Sequence, residues 1–375
     1  MKYGCNEANT LNEVNSVKLS MKQVSVLLAR HLLCASSILI TLVLEGCQGQ
    51  PLKAKTEERS FQMGAIYWTP QQAADTVVKK GVKYMLDNSD VLTAQIPWTP
   101  TDADFLKRVK WIADLAHDHE RSLIVNLDWL ADNRKGIRGT GWRFAQPTTQ
   151  QKFIETALSI CEQYHPDYLN LGVETNFYAL TDSADFKAFL RTYHTTKQLV
   201  NKRFPATKVS VSLQLELLMG NHTGWSETAT MEVFNAFNND FDIVALSTYP
   251  HSNTREFDNF KSLTKLLQQT KKPFGIFETS VPTSLYSEQK QDDYLTELLT
   301  YIQQSHQCKL LVWTSIADTQ PLASKQPWIH YLGLYQSNFT SKKAAAAWAA
   351  WRSRPLRLLI DSLKAAGSET ATMVR

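Results

Sequence analysis

Strand-like and helix-like patterns alternate from residue 61 to about residue 353, and this alternation constrains the fold more than any other feature of the chain. Strands separated by helices pack as a parallel sheet with crossover helices. Eight strand-like segments follow one another, at 62–68, 91–98, 122–130, 168–176, 208–217, 241–249, 273–279 and 309–315. They predict an α/β protein with one domain, a (β/α)8 TIM barrel, over residues 61–353.

An open, doubly wound sheet is the alternative architecture for such a pattern. It needs a Gly-rich first loop that holds a phosphate group, whereas the first loop here begins Trp68-Thr69-Pro70. The barrel is therefore favoured. Because Pro suits the first turn of a helix, we expect the first helix to open at Thr69–Pro70 and to end at Gly81.

The segment before the barrel resembles an export signal. Lys22, Arg30 and His31 precede an apolar run at 32–44, which is short for a bilayer span. The run closes with Leu44-Glu45-Gly46-Cys47, which resembles the bacterial lipoprotein box, although Glu45 departs from the small residue that is usual there. We therefore expect residues 1–47 to be an N-terminal extension with a lipoprotein-type signal, and Cys47 to be lipidated in the cell envelope. An ordinary cleaved signal or an uncleaved anchor remains an alternative.

The flanks and the overall charge complete this outline. Polar residues at 48–60 predict a tether, and residues 354–375 predict a C-terminal tail. The net charge of +4 is not gathered in a long basic run, so no nucleic-acid partner is expected. Cys161 and Cys308 form no CxxC pattern, and no His-rich ligand spacing occurs, so neither a metal nor another cofactor is expected.

Two strand-like segments end in a carboxylate. Glu174 closes the segment at 168–176, and Glu278 closes the segment at 273–279. In a parallel α/β barrel, chemistry lies at this end of the strands. Paired carboxylates are what a glycosidase needs, because one protonates the leaving oxygen and the other attacks or stabilises the sugar cation. Alternatively, Glu174 is a solvated loop residue and Glu278 a helix-capping partner.

Four fragments carry a resemblance to a known family, at 170–176, 242–250, 274–280 and 333–335. With these fragments the chain resembles the retaining glycoside hydrolases of clan A, and most closely the endo-β-1,4-galactanase type. The resemblance implies that Glu174 is the acid/base, that Glu278 is the nucleophile and that Tyr249 donates a hydrogen bond to Glu278. Such a mechanism needs Glu174 protonated and Glu278 ionised.

Two positions depart from the clan A pattern. Val173 stands where these enzymes usually have Asn, and no Arg occurs near the end of the second strand, which reads Gln95-Ile-Pro-Trp98. An inactive carbohydrate-binding lipoprotein with a glycosidase-like barrel is therefore the alternative function. A barrel hydrolase of another class, such as a metal-dependent deacetylase, is a third possibility.

Other side chains near predicted strand ends are candidates for sugar binding. Asp128, Asn176 and Gln214 could bind hydroxyl groups, while Trp68 and Trp313 could stack on sugar rings, Trp313 beneath the central sugar. Structural roles are the alternative for each of them. Gln214 and Glu216 lie at even spacing, which predicts one shared face of the fifth strand.

Overall fold

Helices and parallel strands alternate in the computed structural model, which describes residues 57–69, 73–226, 228–237, 240–253, 258–319 and 327–357. The predicted α/β class is confirmed. All of these residues lie in one compact unit. The predicted signal at 1–47 with Cys47, the predicted tether as far as residue 56 and the predicted tail from residue 358 lie outside the described residues.

The described part of the chain contains nine strands in two parallel sheets. One sheet has the order β1-β9-β8-β7-β6 and the other the order β2-β3-β4-β5. The strands are β1 (Gln62–Ile66), β2 (Val91–Pro97), β3 (Ser122–Asp128), β4 (Tyr168–Asn170), β5 (Lys208–Ser210), β6 (Ser212–Gln214), β7 (Val244–Thr248), β8 (Phe274–Thr279) and β9 (Cys308–Thr314).

Hydrogen bonds join the two sheets at both of their edges. Strands β5 and β6 are one extended segment interrupted at Val211, so the strands take eight positions. Where β4 meets β6, Ser212 N–H donates to the Gly172 carbonyl at 2.9 Å. At the other edge, Asp90 N–H donates to the Met63 carbonyl at 2.6 Å. The strands therefore follow one another around the molecule without a continuous ladder between β1 and β2.

The helices occupy the connections between strands. They are α1 (Asp75–Asp87), α2 (Phe105–Asp118), α3 (Pro147–Tyr164), α4 (Asn176–Thr181), α5 (Ser183–Arg203), α6 (Leu215–Leu218), α7 (Met231–Ala236), α8 (Asn259–Leu267), α9 (Glu288–Ser305) and α10 (Lys343–Arg352). In the part of the chain that the structure describes, 3₁₀ helices cover Pro250–Ser252 and Pro327–Tyr331. Among the described helices, none combines the length and the apolar character needed to span a membrane.

Side chains of several strands alternate between two apolar clusters. A small cluster, drawn mostly from strand residues, fills the inside of the ring and includes Ile66, Ile124, Ala245 and Val312. Residues of opposite parity, such as Leu311 beside Val312, pack outward with the helices in the larger core. This alternation decides which strand-end side chains can face a central pocket.

The first helix differs from its predicted position. It begins at Asp75 and continues through Gly81 to Asp87, so the predicted end at Gly81 is wrong. Gly81 lies against the ring of Tyr67, because a Cβ at this position would come within 2.1 Å of that ring. This glycine therefore serves close packing of the helix on the chain after β1, not helix termination.

The barrel unit also extends beyond its predicted ends. Arg59, assigned to the tether, is 1% exposed and forms an ion pair with Asp90 at 2.6 Å. Its N–H donates to the carbonyl of Pro355, and the N–H of Arg357 donates back to Arg59. Residues 57–60 and 354–357 therefore pack together. A polar composition conceals this packing, because Arg59 is buried through its ion pair and through hydrogen bonds to backbone carbonyl groups.

Candidate active site

Polar side chains from four strands meet in one buried cluster. Asp128 is the last residue of β3, Glu174 follows β4, Ser247 lies in β7 and Glu278 lies in β8. Ser247 is the pairing partner of Glu278 across β7 and β8, and its hydroxyl donates to Glu174 Oε1 at 2.6 Å. The two predicted carboxylates are therefore brought together, although they lie a hundred residues apart in the chain.

The backbone after β4 turns Glu174 toward the cluster. Gly172 permits this path, because a Cβ there would lie 2.5 Å from Thr175 and 2.7 Å from Trp129. Glu174 itself has a φ of 51°, a left-handed backbone conformation that residues other than Gly rarely adopt. Its N–H donates to Ser212 Oγ at 3.1 Å, and the residue is only 7% exposed. Such strain is typical of functional sites.

A β-bulge places Glu278 in the same pocket. Leu246 pairs with Ile276, but the next pair is Ser247 with Glu278, so Phe277 is the extra residue of β8. Phe277 belongs to the inner apolar cluster, whereas Thr279 hydrogen-bonds to Tyr294 of α9. The bulge therefore lets Glu278 face the inside directly after Phe277, as bulges beside active sites often do.

Arg134 connects Asp128 to Glu174 and was not foreseen from the sequence. Its guanidinium lies 3.0 Å from Asp128 Oδ1 and 3.0 Å from Glu174 Oε2. Burial alone would lower the pKa of Arg134, but the charges of Asp128, Glu174 and Glu278 outweigh it and raise that pKa. The predicted site residue Asp128 thus holds Arg134. Burial raises the pKa of Asp128, against the opposing charges of Arg134 and Arg138.

Glu278 favours its neutral form in this arrangement. It is 5% exposed, and Tyr249 donates its hydroxyl to Oε2 at 3.0 Å, the contact that the resemblance implies. Oε1 has no hydrogen-bond partner among the described residues. Burial, followed by the negative charge of Glu174, raises the pKa of Glu278 to about 8, although Arg134 and Tyr249 oppose this. This direction is opposite to the one that a nucleophile needs, so an ionised Glu278 stays a prediction for the catalytic state.

Gln214 and Asn176 are engaged in structural contacts. The Asn176 amide donates to the Gln214 carbonyl at 2.8 Å and accepts from the Gln214 N–H at 2.9 Å. The Gln214 side chain caps α6 by accepting from Leu217 N–H at 2.6 Å, and it donates to Glu216 Oε2 at 2.6 Å. Both side chains support the site from behind, so their contact with a sugar stays a prediction.

Glu216 is a further buried carboxyl group, which lies behind the cluster of Asp128, Glu174 and Glu278. It lies in α6 rather than on a strand, and Thr248 donates to its Oε1 at 2.6 Å. Burial raises the pKa of Glu216 to about 7, and the Thr248 hydroxyl opposes the rise. Thr248 and Tyr249 are neighbours in the chain, so Glu216 fixes the backbone that carries the Tyr249 hydroxyl.

The aromatic candidates separate into inner and outer positions. Trp313 is fully buried, donates its indole N–H to the Leu332 carbonyl at 3.0 Å and packs toward Trp348 of α10. Like Leu311, two residues earlier in β9, Trp313 points outward to the helices, and its ring has no exposed face. Its predicted role beneath the central sugar is therefore corrected. Trp68 is half-buried against the inner cluster, so its predicted role remains open.

Trp328 is an aromatic side chain beside Tyr249, the residue that hydrogen-bonds to Glu278. It is half-buried, and its ring centroid lies 6.4 Å from that of Tyr249 and 4.6 Å from that of His251. Burial lowers the pKa of His251 to about 4, so its imidazole is neutral. The signal that could have found Trp328 is its place in the long loop after the last strand.

Comparisons with known proteins agree on the architecture. No protein-family model and no curated protein matches the sequence. Exo-beta-1,4-mannosidase Op5Man5 from Opitutaceae bacterium strain TAV5 matches with a TM-score of 0.59 and 16% identity, over 80% of this chain and 60% of that protein. GH5_18 from Streptomyces cattleya in complex with GlcNAc matches with a TM-score of 0.59 and 14% identity, over 80% and 83%. This chain has the (β/α)8 fold.

A third similar structure belongs to a protein much longer than the matched region. The FMN-binding beta-glucuronidase from Facaelibacterium prausnitzii L2-6 matches with a TM-score of 0.56 and 12% identity, over 80% of this chain and 45% of that protein. The chain thus spans about three fifths of the mannosidase and less than half of the glucuronidase. Their names point to mannosidase and glucuronidase activity rather than specifically to a galactanase. Within the described ranges, no group of three or more His, Cys, Asp or Glu residues could hold a metal ion.

Proposed function

We propose that this chain is a glycoside hydrolase that works through two carboxyl groups with retention of configuration. The observation that carries the proposal is the pocket in which Ser247 links Glu174 to Glu278, both nearly fully buried at the carboxyl ends of parallel strands. Burying carboxyl groups is costly, and clustering of perturbed carboxyl groups is typical of catalytic sites.

In the proposed mechanism, Glu174 protonates the glycosidic oxygen while Glu278 attacks the anomeric carbon. The bond from that carbon to the leaving oxygen breaks, and a glycosyl ester of Glu278 forms. Glu174, now a carboxylate, then removes a proton from water, which attacks the anomeric carbon and releases Glu278. Tyr249 fixes the orientation of Glu278 through its hydrogen bond of 3.0 Å.

The substrate that we propose is a β-linked oligosaccharide or polysaccharide. Similar folds belong to proteins named for β-1,4-mannosidase and β-glucuronidase activity, and one GH5_18 structure holds Manb1-4GlcNAc. The resemblance to endo-β-1,4-galactanases adds β-1,4-galactan as a candidate. Trp328 and Trp68 would form the apolar walls against which sugar rings stack, since both are half-buried near the pocket.

The experiment that tests this proposal is a hydrolysis screen with Glu278→Gln as the key variant. Aryl β-mannosides, β-glucuronides and β-galactosides and the corresponding glycans would be incubated with the full chain. Glu278→Gln should abolish turnover, typically by several orders of magnitude, whereas Glu162→Gln, the same change at a side chain that is 65% exposed, should not. A 2-fluoro glycoside should label Glu278, as identified by mass spectrometry. Labelling of Glu174 would reverse the assigned roles.

The second candidate function is carbohydrate binding without turnover. The observation that favours it is the ion pair between Arg134 and Glu174, which opposes the protonated state that a general acid needs. Calorimetric binding of a glycan that the protein does not hydrolyse, under all pH conditions tested, would decide for this function.

We also propose export and lipid anchoring at Cys47, on the evidence of the sequence alone. A bacterial host given a fatty-acid label should incorporate it into the native chain and place the chain in the membrane fraction. Cys47→Ala should lose both the label and the membrane location. Equal partitioning of the two forms would contradict the anchor.

A further inference from the structure

Arg134 is a cationic side chain that contacts Glu174 of the proposed catalytic pair directly. It reaches the pocket from the loop after β3, and its side chain is 22% exposed. One of its terminal nitrogens lies 3.0 Å from Asp128 and the other lies 3.0 Å from Glu174. The fork of the guanidinium is thus shared between two carboxyl groups that come from different strands.

The two carboxyl groups of the pair receive different numbers of hydrogen-bond donors. Glu174 accepts from Ser247 on Oε1 and from Arg134 on Oε2, so both of its oxygens are matched to donors. Glu278 accepts from Tyr249 on Oε2, while its buried Oε1 has no partner among the described residues. Donors on both oxygens favour the charged form of a carboxyl group, whereas burial without donors favours the neutral form.

We propose that Arg134 decides which carboxyl group carries the proton in the empty site: it holds Glu174 as the carboxylate and leaves the proton on Glu278. Only the consequence of this inference for catalysis rests on the proposed function. The position of the proton itself can be measured without turnover. Arg134 is thereby a positioning residue that acts on the chemistry through Glu174.

Several charged or titratable groups face this pair from the surrounding elements. Asp128 and Arg138 come from β3 and its loop, Tyr249 from the chain after β7 and Glu216 from α6. His222, in the loop after α6, feels the charge of Glu174, although burial lowers its pKa. The pKa of Glu278, about 8, reflects burial first and the charge of Glu174 second, so the proton stays on Glu278 at neutral pH.

The consequence for catalysis is a proton relocation on substrate binding. In the proposed mechanism Glu174 must carry the proton and Glu278 must be ionised, which is the reverse of the empty site. A bound sugar therefore has to weaken the ion pair between Arg134 and Glu174. The charge of Arg134 already opposes the raised pKa of Glu278, so it favours ionisation of Glu278 in that state. One proton moves from Glu278 to Glu174, and no other group is required.

Isotope-edited infrared or NMR spectroscopy of unliganded protein with ¹³C-labelled glutamate carboxyl groups tests this proposal. Glu174→Gln and Glu278→Gln assign the two signals. At about pH 7, one unit below the value of about 8 for Glu278, the signal of Glu278 should be that of a neutral acid and the signal of Glu174 that of a carboxylate. A neutral Glu174 or an ionised Glu278 in the unsubstituted protein would overturn the proposal, whether or not any Arg134 variant folds.

Arg134→Gln and Arg138→Gln form a matched pair for the same measurement. Both side chains are about one fifth exposed and lie in one loop, but Arg138 pairs with Asp132 at 2.7 Å and with Asp128 at 3.8 Å. Arg134→Gln should move the titration of the pair to higher pH by about 1 unit or more and spread the proton over both groups. Arg138→Gln should shift it much less, and equal shifts would contradict the proposal. Absence of hydrolysis by the unsubstituted protein would count against the hydrolase and leave the proton assignment intact.

Discussion

Glu278→Gln should stabilise the folded protein at alkaline pH while it removes the proposed nucleophile. In the unfolded chain Glu278 ionises near its ordinary pKa of 4.5, whereas in the folded protein burial and Glu174 raise that pKa to about 8. Between these two values the folded state binds more protons than the unfolded state. The free energy of unfolding therefore falls as pH rises through this window.

The size of the effect follows from the width of the window. From 4.5 to about 8 is about 3.5 pH units, and each unit corresponds to ~1.4 kcal/mol, so ionising Glu278 in the folded protein costs on the order of 5 kcal/mol. Glutamine has nearly the same shape and no charge. Its amide oxygen can still accept from Tyr249, so the variant avoids this cost without opening a cavity.

Urea denaturation at a series of pH values measures this difference. Below about pH 4.5, Glu278 is neutral in both states, and the variant should match the unsubstituted protein. Its relative stability should then grow with pH and level off above about pH 8. Glu162→Gln serves as the control and should give a difference that does not depend on pH, since this side chain is 65% exposed. A Glu278→Gln difference that is flat, or that reverses at alkaline pH, would refute the reasoning.

Three further predictions test other parts of the structure. Trp313→Ala should lower the free energy of unfolding by about 3–5 kcal/mol in denaturation experiments, because this ring is fully buried. Trp328 is half-buried, so Trp328→Ala should mainly weaken glycan binding, by about tenfold as measured by calorimetry. Asp90→Asn should cost about 3–5 kcal/mol, because it leaves buried Arg59 without its counter-charge; Asp87→Asn, in an exposed pair, should have no measurable effect. A cationic iminosugar should bind more tightly as pH rises toward about 8, because Glu278 becomes ionised, and binding that is independent of pH would contradict a neutral Glu278.

The sequence predicted the parts of the site that local pattern determines. Glu174 and Glu278 each follow a short apolar strand, and parallel strands of a barrel end at the same rim, so their meeting follows from the fold alone. The hydrogen bond from Tyr249 to Glu278 came from the resemblance. None of these inferences needed side-chain detail, because strand order and strand direction were sufficient.

Where both faces of a strand are apolar, the sequence does not show which side chains point into the barrel and which point toward the helices. The last strand reads Cys308-Lys-Leu-Leu-Val-Trp-Thr314, in which neighbouring apolar residues give no alternation to follow. Trp313 therefore could not be assigned to the helix side in advance. In β8 the bulge at Phe277 reverses parity before Glu278, and such a bulge depends on the pairing with β7 rather than on local composition.

Long-range ion pairs were also beyond the sequence. Arg134 lies in a long loop rich in Gly and Arg, where several cations could have reached the pocket and only the folded path of the loop selects one. Its backbone φ of 58° shows that the turn, rather than any regular element, aims the side chain. Arg59, at the start of the barrel, could not be placed from the sequence for the same reason, since its burial depends on an ion pair with the distant Asp90.

The two departures from the clan A pattern remove polar groups that are usual near Glu174, but they do not leave Glu174 without hydrogen-bond donors. Val173 is fully buried and offers no polar group, and the expected Arg of the second strand is absent, yet Glu174 still receives two donors, from Ser247 and from Arg134. Folding gives no reason for this arrangement, because apolar side chains of similar volume in place of Glu174, Glu278, Asp128 and Arg134 would avoid the desolvation of four ionisable groups. A cost of several kcal/mol at one end of the strands is expected where a ligand interacts with those charges. The polar cluster therefore supports a sugar site in both candidate functions. The position of the proton once a sugar is bound, on Glu174 or still on Glu278, separates a site ready for hydrolysis from one that only binds.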